Sequence, residues 1–160
     1  MMETGAPVNT MANVMANAIK CPICMSDGGA MIWRSERMRV IQVDDSAFPG
    51  YCRIIWNMHV KEMTDLDERD RQDMFTVMLI VEQAIRDTLN PDKINVASFG
   101  NQVPHLHWHI IPRWNWDTHF PDPIWGKERR EADVDHVSRV RGELLLMRAS
   151  IDDRLGKAFP

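Results

Sequence analysis

The chain has no run approaching the roughly 18–20 consecutive apolar residues that a membrane helix needs. It has no excess of positive charge either: 19 Lys and Arg stand against 23 Asp and Glu, a formal net charge of −4 at pH 7. A nucleic-acid-binding chain would be expected to show a basic face, so neither nucleic acid nor membrane is an expected partner. Cysteine is scarce and odd in number, with three in the chain. That excludes an ordinary secreted disulfide scaffold and points to the reducing cytoplasm. The first residues lack the basic start and apolar core of a signal peptide. No internal repeat or low-complexity tract appears. What remains is an ordinary globular composition over 160 residues, enough for one domain with a sizeable core.

Against that plain background one stretch stands apart: His105-Leu106-His107-Trp108-His109-Ile110-Ile111-Pro112. Its histidines alternate with apolar residues at the two-residue period of a β-strand. All three imidazoles of such a strand share one face, and Leu106, Trp108 and Ile110 share the other. The strand is expected over His105–Ile111, with Pro112 closing it because proline cannot donate to a ladder. Same-face neighbours lie roughly 6.5–7 Å apart, so the outer pair is roughly 13 Å apart at Cβ. Zinc holds nitrogen at about 2.0–2.1 Å, so two adjacent histidines can share an ion but three in line hardly can. Covalent chemistry is the better use, since a neutral imidazole is a good nucleophile near pH 7 and its neighbours can donate protons. His107, flanked on both sides, is the expected nucleophile. His109 is the expected proton donor, and His105 orients the cleft or serves a metal. Just upstream, Gly100-Asn101-Gln102 forms a turn whose N–H groups and Gln102 amide can face a phosphate.

Two cysteines at Cys21-Pro22-Ile23-Cys24 supply half of a tetrahedral zinc site. A redox role would want the first cysteine at a helix N-terminus, and Asp27-Gly28-Gly29 follows too soon for that. Cys52 falls in an apolar strand and is expected in the core. His119 and His136 show no partner.

The residues His105-Leu106-His107-Trp108-His109-Ile110-Ile111 match the His-φ-His-φ-His-φ-φ signature of the histidine triad (HIT) superfamily at every position. The match extends through Asn95 and Gly100-Asn101-Gln102-Val103, and on into Pro112-Arg113-Trp114. The chain resembles bacterial HIT proteins. Arg113-Trp114 with Asp117-Thr118-His119-Phe120 is similar to their diadenosine polyphosphate hydrolase branch. The likeness covers Cys21 to about Trp125. It implies an α+β, HIT-like fold: a mostly antiparallel sheet with one long helix packed on it. It also implies a nucleotidyl-histidine intermediate on His107, and phosphate or sugar contacts from Asn95, Asn101 and Gln102. His109 stands where nucleotidyltransferase relatives carry Gln, which tilts the reading to hydrolysis. Implied substrates are adenosine phosphoramidates or dinucleoside polyphosphates, cleaved at the α-phosphate, with no organic cofactor. Zinc-bearing relatives complete their site with residues matching His59 and His105, so Cys21, Cys24, His59 and His105 form the implied Zn2+ set. A homodimer is implied as well. The alternative of another class is a nucleotide-binding or scaffold HIT protein with little turnover.

Along the chain, residues 1–20 read as a poorly ordered N-terminal extension, 21–125 as the HIT domain and 126–160 as a C-terminal helical extension. A hairpin is expected from Ala30–Trp33 and Met38–Val43, a loop over Asp44–Gly50 and a strand at Cys52–Trp56. Thr64 and Asp67 fit a capping box. Met74, Met78, Val81, Ile85 and Leu89 make the apolar stripe of a helix that Asn90-Pro91 stops. A strand follows over Ile94–Phe99. The aromatic, proline-punctuated segment Trp114–Trp125 cannot be regular for long. It lines a base-binding cleft, packs at a dimer interface, or folds onto its own core. Val134, Val137, Val140, Leu144, Met147, Ile151 and Leu155 give a final helical stripe, weakened at Gly142 by about 1 kcal/mol relative to Ala.

Overall fold

A computed structural model describes Ala18 and residues 20–160. The expectation for residues 1–20 therefore falls, apart from Ala18 and Lys20, outside the described residues.

A one-turn helix α1 (Pro22–Met25) leads into the hairpin β1 (Ala30–Arg34) and β2 (Met38–Gln42), followed by β3 (Cys52–Trp56). The long helix α2 (Glu68–Leu89) comes next, then β4 (Lys93–Ser98), β5 (His107–Arg113), α3 (Val134–Gly142) and α4 (Leu144–Ala158). The strands form one antiparallel sheet in the order β1-β2-β3-β5-β4, which places β5 between β3 and β4. The α+β architecture expected from the sequence is the one observed.

Several boundaries differ from the sequence reading. The capping box at Thr64 and Asp67 does not form. Leu66 is buried in an extended conformation, which separates a 3-10 turn (Met63–Asp65), boxed by Glu62 and Asp65, from α2. Asp67 then caps α2 itself by accepting from the Asp70 N–H at 2.8 Å. At the other end Asn90 takes a left-handed conformation, φ 46°, ahead of Pro91.

Pro112 does not close β5; it pairs with Ile94 and the strand runs on to Arg113. The Trp56 N–H donates to the Leu106 carbonyl, so even-numbered residues of this segment direct their backbone groups toward β3. Pairing with β3 ends at Ile110, so the N–H that Pro112 lacks has no ladder to serve. The start shifts too: His105 and Leu106 precede the strand, and Leu106 bonds to Val60 and Trp56 instead.

The C-terminal stripe is two helices, broken at Gly142 and Glu143. The first carries Val134, 71% exposed, while the second buries Met147, Ile151 and Leu155 completely. These three join Met74, Val77, Val81, Ala84, Ile85, Cys52, Ile54 and Ile110 in one core between the sheet and the pair α2 and α4. Trp33 on β1 meets Phe159 just past α4, with ring centres 5.7 Å apart. The opposite face of the sheet is left for the site.

Candidate functional site

Strand alternation does the first sorting. Leu106 and Ile110 are buried in the helix-side core, and His107 and His109 project from the other face. On that face Ile55 stands beside His107 and Arg53 beside His109 on β3, and Ala97 beside His109 on β4. Gly50, φ 85°, makes the bend into β3, and a Cβ there would collide with the Leu89 side chain.

Each triad imidazole has a different partner. His105 is fully buried, and its Nε2–H donates to the Trp56 carbonyl at 2.6 Å. That leaves Nδ1 unprotonated, 3.5 Å from Cys21 Sγ and 3.3 Å from Cys24 Sγ. His59 Nδ1 lies 3.4 Å from Cys24 Sγ. His107 donates from Nδ1 to the His105 carbonyl at 2.6 Å, so its unprotonated nitrogen is Nε2. His109 Nδ1 bonds the Tyr51 hydroxyl, and Arg53 Nε donates to that same oxygen at 3.2 Å. With Arg53 occupying the oxygen, the Tyr51 O–H turns to His109 Nδ1, and His109 carries its own proton on Nε2.

Burial disfavours the charged form of these imidazoles. His107 is pushed below the usual histidine range by desolvation, reinforced by the Arg53 charge and opposed by its bond to the His105 carbonyl. His109 is lowered to about 3 by desolvation, then by His107 and by Arg53. His105 and His59 are lowered too, again mainly by burial.

The ligand atoms of Cys21, Cys24, His59 and His105 all lie within 4.8 Å of one another. A tetrahedral ion with bonds of about 2.0–2.3 Å spaces its ligands by about 3.3–3.8 Å, and the three short N···S separations above fall at those edges. Desolvation, then the hydrogen bond and charge of Cys21, raise the Cys24 thiol to about 11. Cys52, on the far face, is buried and pushed up to about 12 by desolvation.

The turn before β5 is open. Gly100 and Asn101 line a cleft of about 380 Å³ with Lys61, Glu62, Ser98, Phe99 and Pro104. A Cβ on Gly100 would meet nothing closer than Pro104 Cα at 3.8 Å. Gln102 is exposed beside that cleft without lining it. Asn95 is already engaged: its Oδ1 accepts from Arg113 Nη1 at 2.6 Å. A larger cleft of about 730 Å³ between the Ser46–Ala47 loop and α3 contains none of the triad.

Arg113 organises the segment after β5. It is buried and makes a bidentate pair with Asp117, Nε to Oδ2 at 2.7 Å and Nη2 to Oδ1 at 2.9 Å. Asp117 also accepts from the His119 and Phe120 N–H groups, at 2.9 and 2.7 Å. The aromatic segment thereby divides. Trp114 is buried and stacks on Trp116, which stacks on His136, with centre distances of 5.1 Å in both pairs. Trp125 is half exposed, edge-on to His109 at 5.2 Å and to Phe99 at 4.8 Å. His119, which showed no partner in sequence, bonds Thr118 Oγ1 at 2.7 Å, and His136 pairs with Asp133 at 2.8 Å.

Tyr51, Arg53 and Phe99 are the residues beside His109 that sequence reasoning missed, while Trp125 belongs to the aromatic segment already singled out. Arg53 had a signal: it is the one charged residue in the apolar run Tyr51–Trp56. Tyr51 had none beyond sharing its parity.

Fold and site together define a small α+β protein in which strand β5, between β3 and the edge strand β4, carries two buried imidazoles on the sheet face away from α2 and α4. Residues 28–115 match the family model described as "HIT domain", so the chain belongs to the HIT family. Among curated relatives it is 36% identical over 72 residues to a bis(5'-adenosyl)-triphosphatase of Saccharomyces cerevisiae, covering 41% of this chain and 35% of that one. It is 29% identical over 92 residues to an asymmetrical bis(5'-nucleosyl)-tetraphosphatase of Schizosaccharomyces pombe, covering 54% and 50%. The chain thus spans half or less of the length of these relatives. In three dimensions it is similar to a histidine triad protein from Bradyrhizobium japonicum, with TM-score 0.60, 27% identity, and 75% and 93% of the two chains covered. A Zn-bound histidine triad family protein from Mycobacterium smegmatis shares the fold at TM-score 0.53 and 22% identity, covering 83% and 99%.

Proposed function

We propose that the protein is a nucleotide hydrolase that cleaves adenosine phosphoramidates or dinucleoside polyphosphates at the α-phosphate through a nucleotidyl intermediate on His107. One observation carries the reading. His107 has its Nδ1–H tied to the His105 carbonyl, which leaves the Nε2 lone pair without a partner among the described residues, with the His109 ring centre 4.8 Å away. The names of the curated relatives support it.

In this mechanism His107 Nε2 attacks the α-phosphorus as the bond to the leaving group breaks. The leaving atom takes the proton on His109 Nε2, and the Tyr51 O–H can replace it at Nδ1. Water then attacks the same phosphorus, its proton returns along these groups, and the nucleoside monophosphate departs with His107 regenerated. Asn101 and the N–H groups of the Gly100–Gln102 turn face the phosphate oxygens. Asn95 acts one step back, through Arg113.

Cys21, Cys24, His59 and His105 fit a structural Zn2+ by donor type and by spacing. The ion would supply no step; it would fasten the N-terminal segment to the triad strand. We also propose a homodimer. The edge strand β4 carries exposed Val96, and α2 presents Phe75 and Leu79, with Phe75 beside Trp108 at 5.9 Å. Three free thiols favour the cytoplasm. Residues 21–125 are the proposed HIT domain and 126–160 an extension docked on its core, after an N-terminal extension over 1–20.

The test is incubation with a panel of adenylated substrates and mass spectrometry for an adenylyl adduct on His107. His107→Asn is expected to abolish turnover and adduct while keeping nucleotide binding within about tenfold, about 1.4 kcal/mol. Binding without turnover by the unaltered protein would favour the scaffold alternative.

A further inference from the structure

Four arginines project from the site face of the sheet, and three of them are engaged; Arg34 pairs with Asp27 at 2.7 Å. Arg39 reaches the carbonyls of Ile23, Ser26 and Asp27 and the Asn57 amide oxygen, at 2.7 to 3.2 Å. Arg113 is held by Asp117, Asn95 and the Asp122 carbonyl. Arg53 differs from all three. Its Nε bonds the Tyr51 oxygen and its guanidinium lies over the Tyr51 ring at 5.4 Å. Among the described residues neither of its Nη groups has a hydrogen-bond acceptor or a carboxylate.

That arrangement is costly in the free protein. A half-buried cation without a counter-charge loses hydration that no protein group restores. It stands directly across from His109 in the sheet register. A compensating anion from outside would remove the cost. Tyr51 fixes the stem of the guanidinium, so its paired Nη edge is preset in a form suited to a phosphate oxygen pair.

We infer that Arg53 forms a second anion subsite in the triad cleft, taking a phosphate of the nucleotide other than the one attacked by His107. The inference rests on the nucleotide-hydrolase reading and narrows it to substrates with at least two phosphate groups. The second phosphate can come from two sources, the next unit of a polyphosphate chain or a phosphate on the ribose. A phosphoramidate of adenosine monophosphate offers neither.

Calorimetric titration with AMP, ADP and adenosine 3',5'-bisphosphate tests this. The unaltered protein is expected to bind one of the two bisphosphorylated ligands at least about tenfold more tightly than AMP. ADP as the tighter ligand assigns the chain phosphate, and the 3',5'-bisphosphate assigns the ribose phosphate. Arg53→Leu is expected to bring that ratio to within about threefold, and Arg53→Lys, which keeps the charge without the fork, to an intermediate value. A ratio near one in the unaltered protein, or a preference that survives Arg53→Leu, overturns the subsite and leaves the hydrolase reading standing. Failure of all three nucleotides to bind overturns both. Should Arg53→Leu not fold, the unaltered protein and Arg53→Lys still decide.

Discussion

Acid should destabilise this protein through His109 in particular, by an amount that follows from the geometry. The ring is 4% exposed, and burial with its two cationic or titrating neighbours holds its folded pKa at about 3. In the unfolded chain it returns to about 6.5. The unfolded state therefore binds more protons between those values, so stability is full above about pH 6.5 and is lost as pH falls through the window toward 3. At pH 5 the unfolded imidazole is nearly all protonated and the folded one is neutral. The population ratio of about thirty corresponds to about 2 kcal/mol lost relative to pH 8. The perturbation is His109→Gln, which keeps a polar partner for the Tyr51 hydroxyl and cannot titrate. Urea unfolding of both proteins at pH 8 and pH 5 is the assay. The loss between the two pH values should be smaller in the variant by about 2 kcal/mol. Equal losses in the two proteins would show that His109 is not held neutral by this cleft.

Cys24→Ser should lose metal and thermal stability together while keeping some activity, because His107 is untouched; elemental analysis of protein purified without chelator checks it. Less than about a tenth of an equivalent of zinc in the unaltered protein would reject the four-ligand site. Asp117→Ala leaves the Arg113 charge buried and unpaired, and should cost about 3–5 kcal/mol in chemical denaturation. A loss under about 1 kcal/mol, the scale of an exposed pair, would mean the bidentate pair is not what holds that segment. His109→Ala should slow poor leaving groups more than good ones. A uniform loss across a leaving-group series would contradict proton donation from this ring.

Much of the site was legible because its signal is local. A period of two fixes which side of a strand a residue takes, so His107 and His109 share a face whatever the rest of the chain does. Met74, Val81, Ile85 and Leu89 announce α2 by the same kind of reasoning at helical spacing. The zinc-type cluster was reached only through resemblance. Spacing within Cys21–Cys24 supplies two ligands, and nothing local says that His59 and His105 arrive within 4.8 Å of them.

Elsewhere the outcome depended on long-range pairing. The end of β5 at Arg113 depends on where β3 runs out, which Pro112 cannot reveal. The start of α2 depends on Leu66 turning inward, so the local capping pattern at Thr64 lost to burial of an apolar side chain. Asn95 sits on the site face as its alternation requires, but Arg113, 18 residues away, takes its amide.

By itself, then, the sequence determined the face of the histidines, the α+β element order and the family likeness, since each is a matter of short-range period and residue type. Only the tertiary structure decided the tautomer of each imidazole and the partner of each arginine. Those depend on which carbonyl, hydroxyl or carboxylate the sheet register brings within about 3 Å, and register joins residues distant in the chain.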